Sequence, residues 1–86
     1  MGLEIVELVI AAEEEFGVKL PDEIIAKWRT VGQMRDEIVD QLESTGERPD
    51  PQDVLERLYG LIVGGFGVKA DSLSPETRFI QDLDFG

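Results

Sequence analysis

The chain has 86 residues with no cysteine and no histidine, and its 19 acids against 8 bases give a formal net charge of -11. Eighty-six residues make one small domain, and the absence of thiols excludes disulfides and thiolate metal ligands. Such a surface repels phosphate backbones and anionic lipid, so nucleic-acid and membrane binding are not expected, while basic partners are favoured.

No apolar run approaches the roughly 20 residues of a membrane span, and no signal peptide precedes the domain, so a cytoplasmic, metal-free helical protein is expected. Without His or Cys the chain lacks the commonest general base and the best nucleophile, and it reads as a non-enzyme. Plain solubility accounts for an acidic surface as well as any partner does.

In chain order, Ile5, Leu8, Val9, Ala12 and Phe16 fall at helical spacing over 3–16 and make one apolar stripe. Glu4, Glu7, Ala11, Glu14 and Glu15 fall opposite, with no Lys or Arg among them to pair the acids. Gly17 stops this helix. Pro21 leads into a short helix from Asp22 to about Trp28. Thr30 with Gln33 makes a capping box for a helix carrying Val31, Met34, Ile38 and Leu42.

Residues 43–50 read as a linker. Asp50 then caps a helix with Pro51 at its first position, bearing Leu55, Leu58, Tyr59, Ile62 and Phe66. Gly64, Gly65 and Gly67 weaken and end it. From Val68 onward a long loop is expected, with one helical turn after Ser74-Pro75 and buried anchors at Val68, Leu73, Phe79, Ile80 and Leu83. Strand signals are weak, so the fold class is all-α.

The chain has Phe79-Ile80-Gln81-Asp82-Leu83 near its end and Leu3-Glu4-Ile5-Val6-Glu7-Leu8-Val9, running on to Glu13-Glu14-Glu15-Phe16, near its start. These stretches resemble the acyl and peptidyl carrier protein family, in which helix I leads through a long loop to a Phe-x-x-Asp-Leu stretch, an Asp-Ser-Leu turn and an acidic helix II. Leu20-Pro21-Asp22-Glu23 resembles the start of the family's helix III, and Thr30-Val31-Gly32 its helix IV entry. Gly67-Val68-Lys69 resembles the exit from its helix I. The matches run in rotated order: 3–42 resembles helices II to IV, and 51–86 resembles helix I and its loop.

The resemblance therefore implies a single domain over 1–86, a small four-helix bundle with circularly permuted helix order. The eight linker residues span at most about 26–29 Å, enough for neighbouring helix ends, and the alternative is a domain-swapped dimer rather than a monomer. A starting Met-Gly and an end inside a motif lean towards an engineered rearrangement.

By the same resemblance, the family attaches 4′-phosphopantetheine to the serine of Asp-Ser-Leu. That position falls at Gly2, adjoining Gly86, so the cofactor is expected to be absent and the domain unable to carry cargo there. A literal Asp71-Ser72-Leu73 exists, but Pro75 follows and no acidic helix begins at Leu73. Ser72 is read as a decoy in a surface loop, and Ser44 has less support still.

Family carriers present acyl intermediates of fatty acid or polyketide biosynthesis to basic-surfaced synthases and transferases, and a cleft between their helices accepts the acyl chain. Glu4, Glu7 and Glu14, with Val6 and Ile10 beside them, are the expected docking residues; Val6 and Ile10 could instead complete the core. The alternative function is an acidic interaction or adaptor module, or a topology variant, without cargo.

Overall fold

The computed structural model describes residues 3–85, and the fold is mostly helical. Helices α1 (Leu3–Phe16), α2 (Asp22–Ile25), α3 (Val31–Ser44) and α4 (Pro51–Phe66) are followed by a tail with a single 3-10 turn at Ala70–Ser72. The only strand-like pairing among the described residues is an isolated bridge between Thr30 and Arg78.

Each long helix is bounded by the local chemistry that its sequence supplies. Gly17 ends α1 at a φ of +67°, donating to the carbonyl of Glu13 at 2.9 Å. The Thr30 hydroxyl accepts from the Gln33 amide at 3.2 Å, and the Gln33 side chain accepts from the Thr30 amide at 3.1 Å, closing the capping box on α3. Asp50 accepts from the Gln52 amide at 3.0 Å, so Pro51 opens α4 where its missing N–H costs nothing. Gly67, at a φ of +70°, closes α4 beyond Gly64 and Gly65.

The apolar stripes of α1, α3 and α4 meet in one core. Ile5, Leu8, Val9, Ala12 and Phe16 of α1 are buried with Val31, Met34, Ile38 and Leu42 of α3. From α4 come Val54, Leu55, Leu58 and Ile62, while Tyr59 and Phe66 are half-buried. Within one chain, α4 packs against both α3 and α1. Val18, Leu20, Ile25 and Trp28 close the core between α1 and α3.

Between α1 and α4, Glu15 and Arg57 form an ion pair at 2.7 Å, and the Arg57 guanidinium lies 4.5 Å from the centre of the Phe16 ring. No base of α1 itself pairs these acids, as expected; the partner of Glu15 comes from another helix. Glu13 is engaged too, accepting from the Leu20 amide at 2.9 Å.

Other differences from the sequence-based expectations have local causes. The short helix ends at Ile25 instead of near Trp28, because Lys27 and Trp28 donate to Ile24 and Ile25 in tighter three-residue steps. The α3 helix continues to Ser44, so the linker is 45–50. The helical turn in the tail lies at Ala70–Ser72, before Ser74-Pro75. At Pro75-Glu76 only a tight turn forms, closed by the Thr77 amide on the Ser74 carbonyl at 3.1 Å.

Ile80, expected as an anchor, is 63% exposed. Phe79 is buried as expected, Phe85 and Thr77 are buried in addition, and Val68, Leu73 and Leu83 are partly buried. Thr77 is buried with its hydroxyl satisfied, accepting from the Ser74 amide at 2.8 Å and donating to the Ser72 carbonyl at 3.3 Å.

The tail also completes α3. The first N–H groups of a helix have no partner within it. Here Val31 donates to the Thr77 carbonyl at 3.0 Å and Gly32 to the Pro75 carbonyl at 2.9 Å. The approach is close enough that a Cβ on Gly32 would stand 2.8 Å from the Pro75 oxygen.

Candidate functional site

An apolar cleft of about 420 Å³ opens where the start of α1, the α2 region and the end of the tail converge. Three features shape it. Pro21 accepts from both Ile24 and Ile25, at 3.0 and 3.1 Å, which holds α2 and turns Ile25 inward. Trp28 follows, held to the Ile25 carbonyl at 3.0 Å. The third wall is a hook in the tail, fixed when the Phe79 amide donates to the Arg29 carbonyl at 3.0 Å.

The hook turns back on itself. Asp82 and Leu83 donate to the Arg78 carbonyl, Asp84 donates to Ile80, and Asp84 takes a φ of +58°. Phe85 thereby returns to donate to the Phe79 carbonyl at 2.9 Å. Its ring lies 4.9 Å from that of Phe66 and 6.3 Å from that of Phe79. Arg78 bridges the turn from outside, with an ion pair to Asp82 at 3.2 Å. The side-chain and main-chain hydrogen bonds from Arg78 hold the Asp82 carboxyl below the usual carboxylate range.

The cleft is lined by apolar Ile5, Ile25, Trp28, Phe79 and Phe85, with the exposed Ile80 beside them. Its polar lining is Asp22, Arg29 and Gln81. Such a surface favours binding an apolar chain, and it holds no paired carboxylates and no nucleophile set against a base. Among the described residues, no group of His, Cys, Asp or Glu is arranged to hold a metal ion. Elsewhere, burial pushes the Tyr59 phenol up from its ordinary value.

The five residues expected to dock a partner all lie on the outside of α1. Glu4, Glu7 and Glu14 are exposed, and Val6 and Ile10 are 38% and 50% exposed. Val6 and Ile10 stand one turn apart, Glu7 and Glu14 two turns apart on the adjoining strip, and Glu4 lies towards the edge. The alternative in which Val6 and Ile10 complete the core does not occur. Among the described residues, none of the three acids is in an ion pair, whereas Glu15 is held by Arg57. This acidic outer strip and the cleft share the first turns of α1, where Ile5 lines the cleft and its neighbours Glu4 and Val6 belong to the strip.

Ser72 lies at the exposed end of the 3-10 turn, and extended backbone at Leu73, with a ψ of 136°, follows it. Ser44 closes α3, its hydroxyl donating to the Gln41 carbonyl at 2.7 Å, and Ser74 is engaged with Thr77. None of these three serines stands in the first turn of an α-helix. Gly2 and Gly86 lie outside the described residues.

Asp22, Arg29, Gln81 and Phe85 are cleft residues that sequence reasoning missed. Phe79 and Phe85 lie six residues apart in a stretch of turns without regular secondary structure, so no periodicity marks their contact. Arg29 joins the site through a backbone bond to the distant hook.

A stretch of 37 residues is 49% identical to an acyl carrier protein of Acidothermus cellulolyticus. The match takes in 43% of this chain and 44% of that protein, so the chain spans under half the length of the relative it matches. That protein is one of seven curated proteins that match. No family profile matches the chain. No solved structure matches it either.

Proposed function

We propose that the chain is a carrier-like module of acyl biosynthesis, of the fatty acid or polyketide type, in which the carrier helix order is circularly permuted. It has no catalytic role of its own. Basic-surfaced synthases and transferases dock on α1 through Glu4, Glu7 and Glu14, with Val6 and Ile10 supplying apolar contact between the charges. The cleft beside that face takes an acyl chain. The observation that carries this reading is the pairing of an unneutralised acidic strip with an adjoining apolar cleft, in a chain with a 37-residue likeness to an acyl carrier protein.

The permuted order is supported by where the two ends of the described chain lie. Ile5, near the start of α1, and Phe85, at the end of the hook, line the same cleft. The family's Asp-Ser-Leu turn would bridge that gap. In a monomer, α4 folds back onto α1 and α3 of its own chain through 45–50.

The family's 4′-phosphopantetheine, a swinging arm that holds acyl groups as thioesters, does not fit the residues present. Its phosphate is received at a helix N-terminus, where free amides point outward. No serine of this chain stands at such a place, and the one in Asp71-Ser72-Leu73 is followed by extended backbone. This arrangement supports a docking protein that is not loaded at the family position.

Intact mass after incubation with coenzyme A and a promiscuous phosphopantetheinyl transferase tests the reading. No gain is expected; a gain of one phosphopantetheine mapped to Ser72 overturns the placement of the functional turn. The docking face is tested by Glu7→Lys with Glu14→Lys against a carrier-recognising enzyme. Roughly tenfold weaker binding is expected at moderate salt, since each exposed ion pair contributes up to about 1 kcal/mol. Unchanged affinity would sink the docking proposal.

A further inference from the structure

We infer that the cleft binds free anionic amphiphiles non-covalently, with the apolar tail against Ile25, Trp28, Phe79 and Phe85 and the carboxylate on Arg29. The inference rests on the reading of the cleft as an acyl-chain site. It goes beyond that reading by assigning a head-group subsite and a ligand that needs no covalent tether.

Arg29, like Arg48 of the linker, differs from the other three arginines. Arg35, Arg57 and Arg78 each hold a carboxylate, at 2.9, 2.7 and 3.2 Å. No Asp or Glu side chain among the described residues comes within ion-pair distance of Arg29, in a chain with 19 acids to choose from. The guanidinium is positioned by backbone instead: Nη1 donates to the carbonyls of Ala26 and Trp28, each at 3.3 Å. Nε and Nη2 make no hydrogen bond to another described residue, so a planar donor pair remains for a ligand.

That geometry suits a carboxylate, which a guanidinium can grip through two parallel N–H groups. Gln81, on the same lining, has an amide N–H₂ to add. The cleft volume of about 420 Å³ lies within the range of small-molecule sites, which is about 300–1,000 Å³. Two features oppose an anion: Asp22 lines the same cleft, and the whole chain carries a net charge of -11. Salt screens the distant charges beyond about 8 Å at physiological strength, which leaves the direct contact with Arg29 to decide.

The test titrates the protein with octanoate, octanol and octylammonium, read by calorimetry and by the fluorescence of Trp28, which lines the cleft. Octanoate is expected to bind about threefold more tightly than octanol, the gain of a partly solvated ion pair. The advantage should vanish in 1 M sodium chloride, where screening acts within about 3 Å. In Arg29→Gln, octanoate should fall to the affinity of octanol while octanol binds as before.

Octanol binding as tightly as octanoate overturns the head-group inference and leaves the acyl-chain reading standing. Octylammonium binding tightest gives the head group to Asp22 and also overturns it. An equal loss of octanoate and octanol in Arg29→Gln makes Arg29 a wall residue, and the head-group subsite is again overturned. No binding of any probe overturns both the inference and the acyl-chain reading beneath it.

Discussion

The helices α1, α3 and α4 each bury a stripe, and Leu8, Met34, Ile38, Leu58 and Ile62 are fully sealed, whereas among its described residues the tail from Gly67 buries only Thr77, Phe79 and Phe85. The helical part is joined by side-chain packing. The tail is joined largely by backbone bonds to α3 and its approach: Thr77 and Pro75 carbonyls to the first turn of α3, and the Phe79 amide to Arg29. The dependence runs both ways, because the tail has too few apolar residues to form a core alone and α3 would have unpartnered N–H groups without it. The cleft sits at this seam, with α1 and α2 forming one side and the hook the other. A ligand in the cleft would touch both sides of this seam.

The largest loss of stability comes from the helical side. Leu58→Ala empties a site with 0% exposure at the centre of the core, and a loss of about 3–4 kcal/mol is expected by urea unfolding. Hydrogen-exchange protection should fall throughout the bundle. Phe85→Ala removes a buried ring too, but from the end of the hook, and should cost about 3 kcal/mol, the lower end for a buried phenylalanine. Its signature is regional: the amides of Val31, Gly32 and Phe79 should lose protection before those of α4 do. Equal loss in α4 would show that bundle and tail open as one unit.

A third substitution acts on the seam alone. In Gly32→Ala the new methyl meets the Pro75 carbonyl oxygen at 2.8 Å, a backbone atom that cannot swing aside. Either the tail shifts or the bond from the Gly32 amide stretches, and a cost of about 1–3 kcal/mol is expected by urea unfolding. A stability equal to that of the parent would mean that the loop yields without penalty.

The smallest effect belongs to Asp82, on the exposed surface of the hook. Its folded pKa lies below the ordinary value, so its contribution is fully present above about pH 4 and is lost as pH falls through the lower folded value. Asp82→Asn should slightly loosen the hook at neutral pH, seen as faster exchange at the Asp84 and Phe85 amides. Parent and variant should converge in acid. A difference that persists at pH 2 would assign the effect to something other than the charge on Asp82.

Much of the helical region was legible in the residues. The stripes of α1 and α3 were read in full because periodicity reports burial when a helix faces one core. The Thr30–Gln33 box, the Asp50 cap and the Gly17 and Gly67 stops were legible as well, since capping is a local bond between near neighbours. The tail was less so. Ile80 and Phe85 are both apolar, and only the turn at Asp84, with its φ of +58°, decides that the first faces outward and the second inward. The outer strip of α1 was visible from spacing, but the neutralisation of Glu15 was not, because Arg57 lies 42 residues away.

By itself, then, the sequence determined three amphipathic helices, their caps, an acidic outer strip on the first of them and a strongly anionic surface. These depend on interactions within one turn of helix, or on composition, and need no knowledge of what packs where. Only the tertiary structure decided the path of the tail, the capping of α3 by distant carbonyls, the ring cluster around Phe85 and the cleft with Arg29 on its wall. These are contacts between segments brought together by burial of the stripes, and their geometry follows from how the helices pack rather than from any local preference.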